Sequence, residues 1–193
     1  MLADELLSYV FDGRMYPIAS ECAGWVDESR PFRAFVDRYR DKIRKKLRVC
    51  GDEEARRDLQ VELATAFALL QEHRFSIEYE LYASGKQRGP DLSVIFKDHI
   101  RFNVEVTRLR GGGAEPEGKP GGKQTNGAGK VTATICAKLG QMPPSVANIL
   151  VLAADSAVYS PSDIDGVMKE LKTQAERKDD AFFARRGLDE SRD

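Results

Sequence analysis

Two short runs of β-branched and aromatic residues, 89–96 and 101–107, constrain the fold of this chain more than any other stretch. The polar residues 97–99 between them predict the turn of an antiparallel hairpin. Side chains alternate between the two faces of a strand, which puts Glu105 on the face opposite its valine neighbours. Because the start of one hairpin strand lies beside the end of the other, we expect Asp91 to lie close to Glu105.

Two carboxylates that lie close together cost free energy unless a proton or a cation lies between them. A hard cation such as Mg²⁺ accepts oxygen ligands of this kind. In the alternative interpretation, Asp91 caps a turn and Glu105 points into water on an exposed face of the sheet. The hairpin sequence by itself leaves both interpretations open.

Hydrophobic periodicity predicts further elements on either side of the hairpin. They are a helix with apolar positions from 59 to 70, a strand at 75–81, a helix at 131–139 and a strand at 147–153. The last strand is a nearly uninterrupted apolar run, which is typical of the interior of a sheet. The sequence therefore predicts the order helix, three strands, helix, strand.

This order, with Pro90-Asp91 and Glu105-Val106-Thr107 on its second and third strands, resembles the PD-(D/E)xK nuclease superfamily. The resemblance spans residues 52–153. It implies the restriction-endonuclease-like fold, an α/β fold with an α-β-β-β-α-β core, a mixed central sheet and, here, extra terminal helices. One position departs from the family pattern, because Thr107 stands where the family has a lysine.

The resemblance implies a nuclease that hydrolyses phosphodiester bonds of nucleic acid, with DNA as the expected substrate. Asp91, Glu105 and the Val106 backbone carbonyl would bind Mg²⁺ or Mn²⁺. In many relatives the first core helix supplies another acid to the metal site, and Glu62 is the candidate here. The alternative is that the Glu62 side chain extends into solvent.

Thr107 can hydrogen-bond a water molecule, but it carries no positive charge. An active enzyme would need that charge from another residue, and Lys138 on the polar side of the predicted helix is the first candidate. Lys130, at the start of that helix, is a weaker one. In the alternative interpretation, which is equally open, Lys138 is an ordinary solvated lysine without a catalytic role.

Basic residues near the hairpin are candidates for contact with a polyanion. Residues 110–129 are rich in glycine and proline, so they predict either a simple connector or a flap that closes on nucleic acid. The candidate nucleic-acid-binding residues are Arg88, Arg108, Arg110, Lys123 and Lys130. An earlier helix, opened by Ser29 and Pro31, has a basic face that is interpreted as solvated surface or as a phosphate contact.

The formal net charge of −1 means that any basic surface must be local. Three widely spaced cysteines predict a reducing compartment. No apolar run of membrane-spanning length and no secretory signal pattern occur, so we expect a cytoplasmic protein without membrane contact.

The expected organisation is a helical extension (1–50), a core (51–155) and a C-terminal helix with a charged tail (156–193).

Two other functions stay open. Loss of the family lysine favours a catalytically inactive module that binds nucleic acid or serves assembly, whereas retention of both acids favours an enzyme, since an unliganded carboxylate pair is a cost. A protein-interaction domain would also fit the net charge. Association into a homo-oligomer is possible in each case.

Overall fold

The computed structural model describes residues 2–80, 89–110, 127–143, 146–186 and 188. Among these residues the chain forms seven helices and four strands. The helices are α1 (Ala3–Phe11), α2 (Pro17–Glu28), α3 (Arg30–Val49), α4 (Glu53–Leu69), α5 (Gly127–Leu139), α6 (Pro161–Glu176) and α7 (Asp180–Ala184). The strands are β1 (Phe75–Tyr79), β2 (Leu92–Phe96), β3 (Ile100–Leu109) and β4 (Ala147–Ala154).

The four strands form a mixed open sheet in the order β1-β2-β3-β4, which confirms the α/β class. From α4 to β4 the elements follow the predicted order of helix, three strands, helix and strand. The hairpin is confirmed, because β2 and β3 pair antiparallel with Leu92 opposite Val104. Lys97 and Asp98 have φ values of 49° and 63°, a left-handed backbone that turns the chain sharply between the strands.

The chain separates into two compact units, and the first comprises Met1–Thr107 with Pro144–Val151. Its core contains buried apolar side chains of α1 to α4 together with those of β1, β2 and β3. Trp25 of α2 stacks on Phe67 of α4, with ring centroids 5.5 Å apart, and meets Phe32 of α3 edge-on. The four N-terminal helices and the sheet therefore share one hydrophobic core.

The second unit comprises Arg108–Pro143 with Leu152–Asp193. Its buried apolar side chains include Val131 and Ile135 of α5 and Val167 and Leu171 of α6. Ser160 caps α6, since its hydroxyl accepts a hydrogen bond from the Asp163 amide while the Asp163 carboxylate accepts from the Ser160 amide. This reciprocal capping fixes the start of α6 where the sequence predicts it.

Two expectations about element positions are wrong. Among the described strands β4 ends the sheet order, and Ile149 on it is 47% exposed, so β4 is not an interior strand. An apolar run indicates burial but does not specify which neighbours a strand has. Helix α5 begins at Gly127, so residues 127–129 of the predicted loop are helical, and residues 111–126 lie outside the described part of the chain.

Within the described ranges, no helix is both long enough and apolar enough to cross a membrane.

Candidate functional site

The hairpin brings Asp91 and Glu105 together at the end of the β2–β3 ladder. Leu92 pairs with Val104, so the next position along the register sets Asp91 beside Glu105. The Val106 amide donates a hydrogen bond of 2.8 Å to Asp91 Oδ2. The Asp91 carbonyl in turn accepts a 2.9 Å bond from the Glu80 amide of the neighbouring chain segment. These main-chain contacts fix the position of the Asp91 carboxylate.

Burial and like charge both act on this carboxylate. Glu105 is only 5% exposed, which excludes the alternative in which it points into water. Burial, followed by the negative charges of Glu62 and Glu105, raises the pKa of Asp91 to about 7. The Val106 amide and Lys46 oppose that shift without cancelling it. The Asp91 carboxylate therefore lies buried beside two other acidic side chains.

Glu62 lies at the edge of the buried stripe of α4, one residue before Leu63. Its Oε2 accepts a 2.8 Å hydrogen bond from the Tyr79 hydroxyl and a 2.6 Å bond from Lys46 Nζ. The Glu62 side chain is 14% exposed, so it does not extend into solvent. The α4 carboxylate therefore points towards the hairpin acids, and its charge contributes to the raised pKa of Asp91.

Lys46 of α3 is a member of this cluster that the sequence does not single out. Its Nζ lies 2.6 Å from Glu62 Oε2 and 2.7 Å from Glu80 Oε1. Burial by itself would lower the pKa of Lys46, but Glu62 and Glu80 outweigh that effect and the pKa lies above its ordinary value. The signal in the sequence is position, because Lys46 directly precedes the buried Leu47 and lies one turn after Ile43.

Several basic side chains of α3 bind groups of the first unit, and a phosphate contact by this face stays a prediction. Lys42 Nζ donates to the carbonyls of Tyr79 and Glu80 at 2.9 and 3.1 Å. Arg44 and Arg48 both pair with Asp12. The charges of α3 therefore stabilise the first unit internally.

The sheet face that carries Glu105 is polar and buried. Asn103 is 2% exposed and pairs across the hairpin with Ser93, which is 1% exposed. Asn103 Nδ2 donates a 3.1 Å hydrogen bond to Asn148 Oδ1, and Asn148 Nδ2 donates to the Val146 carbonyl. Buried polar groups need such partners. Glu105 thus shares its face of β3 with the hydrogen-bonded Asn103.

The donor chemistry of the hairpin fits a magnesium or manganese ion as a two-carboxylate site. Among the described residues, no group of three His, Cys, Asp or Glu side chains could enclose a metal ion. Mg²⁺ commonly takes only one or two protein carboxylates and fills its other positions with water and substrate phosphate. Asp91 and Glu105 meet that requirement, and a cation would relieve their mutual repulsion. Glu62 as a metal ligand stays a prediction.

The other predicted site residues lie in different parts of the described chain. Thr107 is half-buried at the end of β3 in the first unit. Lys138 lies in the last turn of α5 in the second unit, and its catalytic role stays a prediction. In the same unit, the Arg110 carbonyl accepts a 2.8 Å hydrogen bond from Lys130 Nζ, which joins the helix start to the end of β3.

Two of the predicted nucleic-acid-binding residues, Arg88 and Lys123, lie outside the described residues. Arg108 and Arg110 are described, half-buried and exposed respectively, where β3 ends. A role for any of these residues, or for Lys130, in binding nucleic acid stays a prediction.

No protein-family model matches the chain, and neither does a curated protein or a solved structure.

Proposed function

We propose that this protein is a metal-dependent nuclease that hydrolyses phosphodiester bonds of nucleic acid, with DNA as the expected substrate. The observation that carries the proposal is the buried Asp91–Glu105 pair, in which burial, followed by the charges of Glu62 and Glu105, raises the pKa of Asp91 to about 7. Perturbed carboxylates in a defined cluster are typical of functional sites. The order α4-β1-β2-β3-α5-β4 supports assignment of these acids to a restriction-endonuclease-like core.

In this proposal Asp91 and Glu105 bind Mg²⁺ or Mn²⁺ together with the Val106 carbonyl. The Val106 amide orients Asp91 through its 2.8 Å hydrogen bond, so that the carboxylate keeps one position. The bound ion would lower the pKa of a water molecule and neutralise charge that develops on the phosphate. Thr107 offers a hydroxyl that can orient a water molecule by hydrogen bonding, and Lys138 is the proposed source of additional positive charge.

The partner in this proposal is a nucleic acid strand whose phosphates meet Arg108, Arg110 and Lys130, with Arg88 and Lys123 as further candidates. A cytoplasmic location and self-association belong to the same proposal. Phosphate contacts of this kind would make binding weaken steeply as salt is added.

A second function is a nucleic-acid-binding or assembly module that lacks catalysis. One observation favours it: Lys46 already neutralises Glu62 and Glu80, and Thr107 adds no cation beside Glu105. In that case Asp91, whose pKa lies near 7, would be partly protonated at neutral pH in place of binding a metal ion.

A cleavage assay separates the two functions. Purified protein is incubated with single- and double-stranded DNA and RNA in Mg²⁺, in Mn²⁺ and in excess chelator. We expect cleavage that requires the metal and is lost in Glu105→Gln, while circular dichroism shows an unchanged fold. Glu78→Gln is the matched control, because Glu78 is an acid on β1 that pairs with Arg101 at 2.9 Å. Binding of DNA without cleavage by the wild-type protein would select the inactive module.

A further inference from the structure

We infer that Lys42 is a positioning residue of the proposed metal site, because it clamps the backbone of Glu80 and thereby holds Asp91 in place for the divalent cation. This role rests on the proposed function and deepens it. It assigns to helix α3, which carries none of the proposed metal ligands, the task of keeping one of those ligands in position.

Glu80 is the residue through which the clamp acts. It directly follows β1 and has a left-handed backbone, with a φ value of 47°. A residue that carries a Cβ disfavours this conformation, so contacts from outside must stabilise it. The Glu80 amide donates a 2.9 Å hydrogen bond to the Asp91 carbonyl, one position beyond the last pair of the β1–β2 ladder. The conformation of Glu80 therefore helps to set where the Asp91 backbone lies.

Lys42 of α3 binds the backbone on both sides of this left-handed residue. Its Nζ donates to the carbonyls of Tyr79 and Glu80 at 2.9 and 3.1 Å, and it lies 5.8 Å from the centre of the Tyr39 ring. Successive carbonyls of an extended strand point in opposite directions, whereas a helical conformation of either hand turns them to the same side. One ammonium group can bind both carbonyls because Glu80 is left-handed, and its binding stabilises that conformation.

The side chain of Glu80 is held by the same helix. Its Oε1 lies 2.7 Å from Lys46 Nζ, which also binds Glu62 Oε2 at 2.6 Å. The Glu80 side chain is 24% exposed, so water screens its ion pair with Lys46 only in part. Helix α3 therefore fixes Glu80 by its backbone and by its carboxylate.

Asp91 is held from two sides as a result. The Glu80 amide binds its carbonyl, and the Val106 amide donates 2.8 Å to its Oδ2 from β3. Groups that orient a metal ligand affect the metal strongly, since loss of such a group commonly weakens metal binding by about 10–100-fold. Release of Glu80 should therefore weaken metal binding although every proposed ligand is still present.

The test is the Kd of the folded, full-length protein for Mn²⁺, measured by the EPR signal of free Mn²⁺. Lys42→Met should bind Mn²⁺ about ten times more weakly than the wild-type protein, because Asp91 loses its support. Charge alone predicts the opposite, since removal of a cation near carboxylates should tighten the binding of a dication. Lys45→Met is the matched control: it removes an exposed lysine of the same helix and should keep the wild-type Kd. Unchanged or tighter binding in folded Lys42→Met would overturn the inference.

A second pair of variants keeps the test decisive if Lys42→Met does not fold. Glu80→Ala and Glu80→Gly remove the same carboxylate, but only alanine resists the left-handed conformation. Glu80→Ala should therefore bind Mn²⁺ about five times more weakly than Glu80→Gly. Equal Kd values for the two variants would overturn the inference, because loss of charge would then explain the whole effect.

Hydrogen exchange of the Glu80 amide, followed by NMR in the metal-free protein, tests the link to Asp91 without any metal. This amide should exchange about ten times faster in Lys42→Met than in the wild-type protein, and an unchanged rate would overturn the inference. A wild-type chain that binds no Mn²⁺ would overturn it as well.

Nuclease activity is measured separately. The expected order of Kd values without cleavage by the wild-type protein would end the proposed function and leave the inference standing. Metal-dependent cleavage with equal Kd values in the wild-type protein and Lys42→Met would do the reverse.

Discussion

The pKa values of two acidic residues of the first unit, Asp12 and Asp91, are shifted in opposite directions. The Arg48 guanidinium donates two hydrogen bonds to Asp12, 2.8 and 2.9 Å long, and Arg44 pairs with it as well. The contacts from Arg48, followed by those from Arg44, lower the pKa of Asp12 to about 2. The pKa of Asp91 lies near 7.

The difference lies in what surrounds each carboxylate. Asp12 meets two guanidinium groups, and Arg48 binds it through two hydrogen bonds in forked geometry, which suits an ionised carboxylate. Asp91 is buried beside two other carboxylates, and Lys46 of this cluster is bonded to Glu62 and Glu80. A satisfied ion pair is a structural element, whereas a carboxylate that lacks its counter-ion marks a place where a ligand can be bound.

Catalysis should separate the two residues most strongly. Asp91→Asn removes a proposed metal ligand and should reduce the cleavage rate on the order of 10³-fold, since charge stabilisation at the phosphate is lost. Asp12→Asn should leave the rate unchanged, because the Asp12 carboxylate pairs with Arg44 and Arg48 of α3 and is not a proposed metal ligand. Initial rates at saturating Mg²⁺, compared at equal amounts of folded protein, measure both. Equal losses in the two variants would show that Asp91 acts through stability alone.

The pH dependence of stability should show the same contrast as two opposite slopes. The folded pKa of Asp91 exceeds its ordinary value of 3.8, so the folded state binds more protons than the unfolded state between about pH 4 and 7. Stability should therefore fall as pH rises through that window, by on the order of 2 kcal/mol once partial exposure is allowed for. Asp12 has the opposite effect, because its folded pKa is lowered. Its contribution to folding stability is present above pH 3.8 and is lost as pH falls towards 2.

Urea unfolding of the metal-free protein from pH 2 to pH 8 measures both slopes. Asp91→Asn should flatten the decline between pH 4 and 7 and raise stability at pH 7, because the amide still accepts the Val106 hydrogen bond. Asp12→Asn should lower stability at pH 7 and weaken the loss at acid pH. If stability still declines from pH 4 to 7 in Asp91→Asn, then a group other than Asp91 causes the decline.

The hairpin was open to prediction because its determinants are local. Alternation of side chains and a polar turn fix the register of β2 against β3, and the register alone brings Asp91 to Glu105. The start of α3 is confirmed for the same reason, since Ser29 Oγ accepts from the Phe32 amide at 3.3 Å. Each of these features is encoded within about twenty residues of sequence.

The features that the sequence did not reveal depend on tertiary packing. Helix α2 contains Gly24, and it is stabilised by Trp25 packing on Phe67, a residue distant in the chain. Lys46 belongs to the site only because α3 packs beside α4, which brings its Nζ to Glu62. Periodicity identifies the polar residues at the border of a helix stripe, but it cannot show which of them face a buried carboxylate.

A third acid, Asp37 on α3, is the reference for this comparison, and its substitution has the smallest expected effect on stability. Asp37 Oδ1 accepts a hydrogen bond of 2.8 Å from Arg40 Nη1, one turn along the helix, and both side chains are 43% exposed. Solvent screens this pair and its side chains lose rotamer freedom, so such pairs contribute about 0.3–0.5 kcal/mol. Asp37→Asn should therefore shift the urea midpoint slightly, leave the cleavage rate unchanged and keep the pH profile of the wild-type protein. If Asp37→Asn lost as much stability as Asp12→Asn, any carboxylate on this surface would matter equally. The distinction between the arginine-paired Asp12 and Asp91, which is buried beside other acids, would then lose its basis.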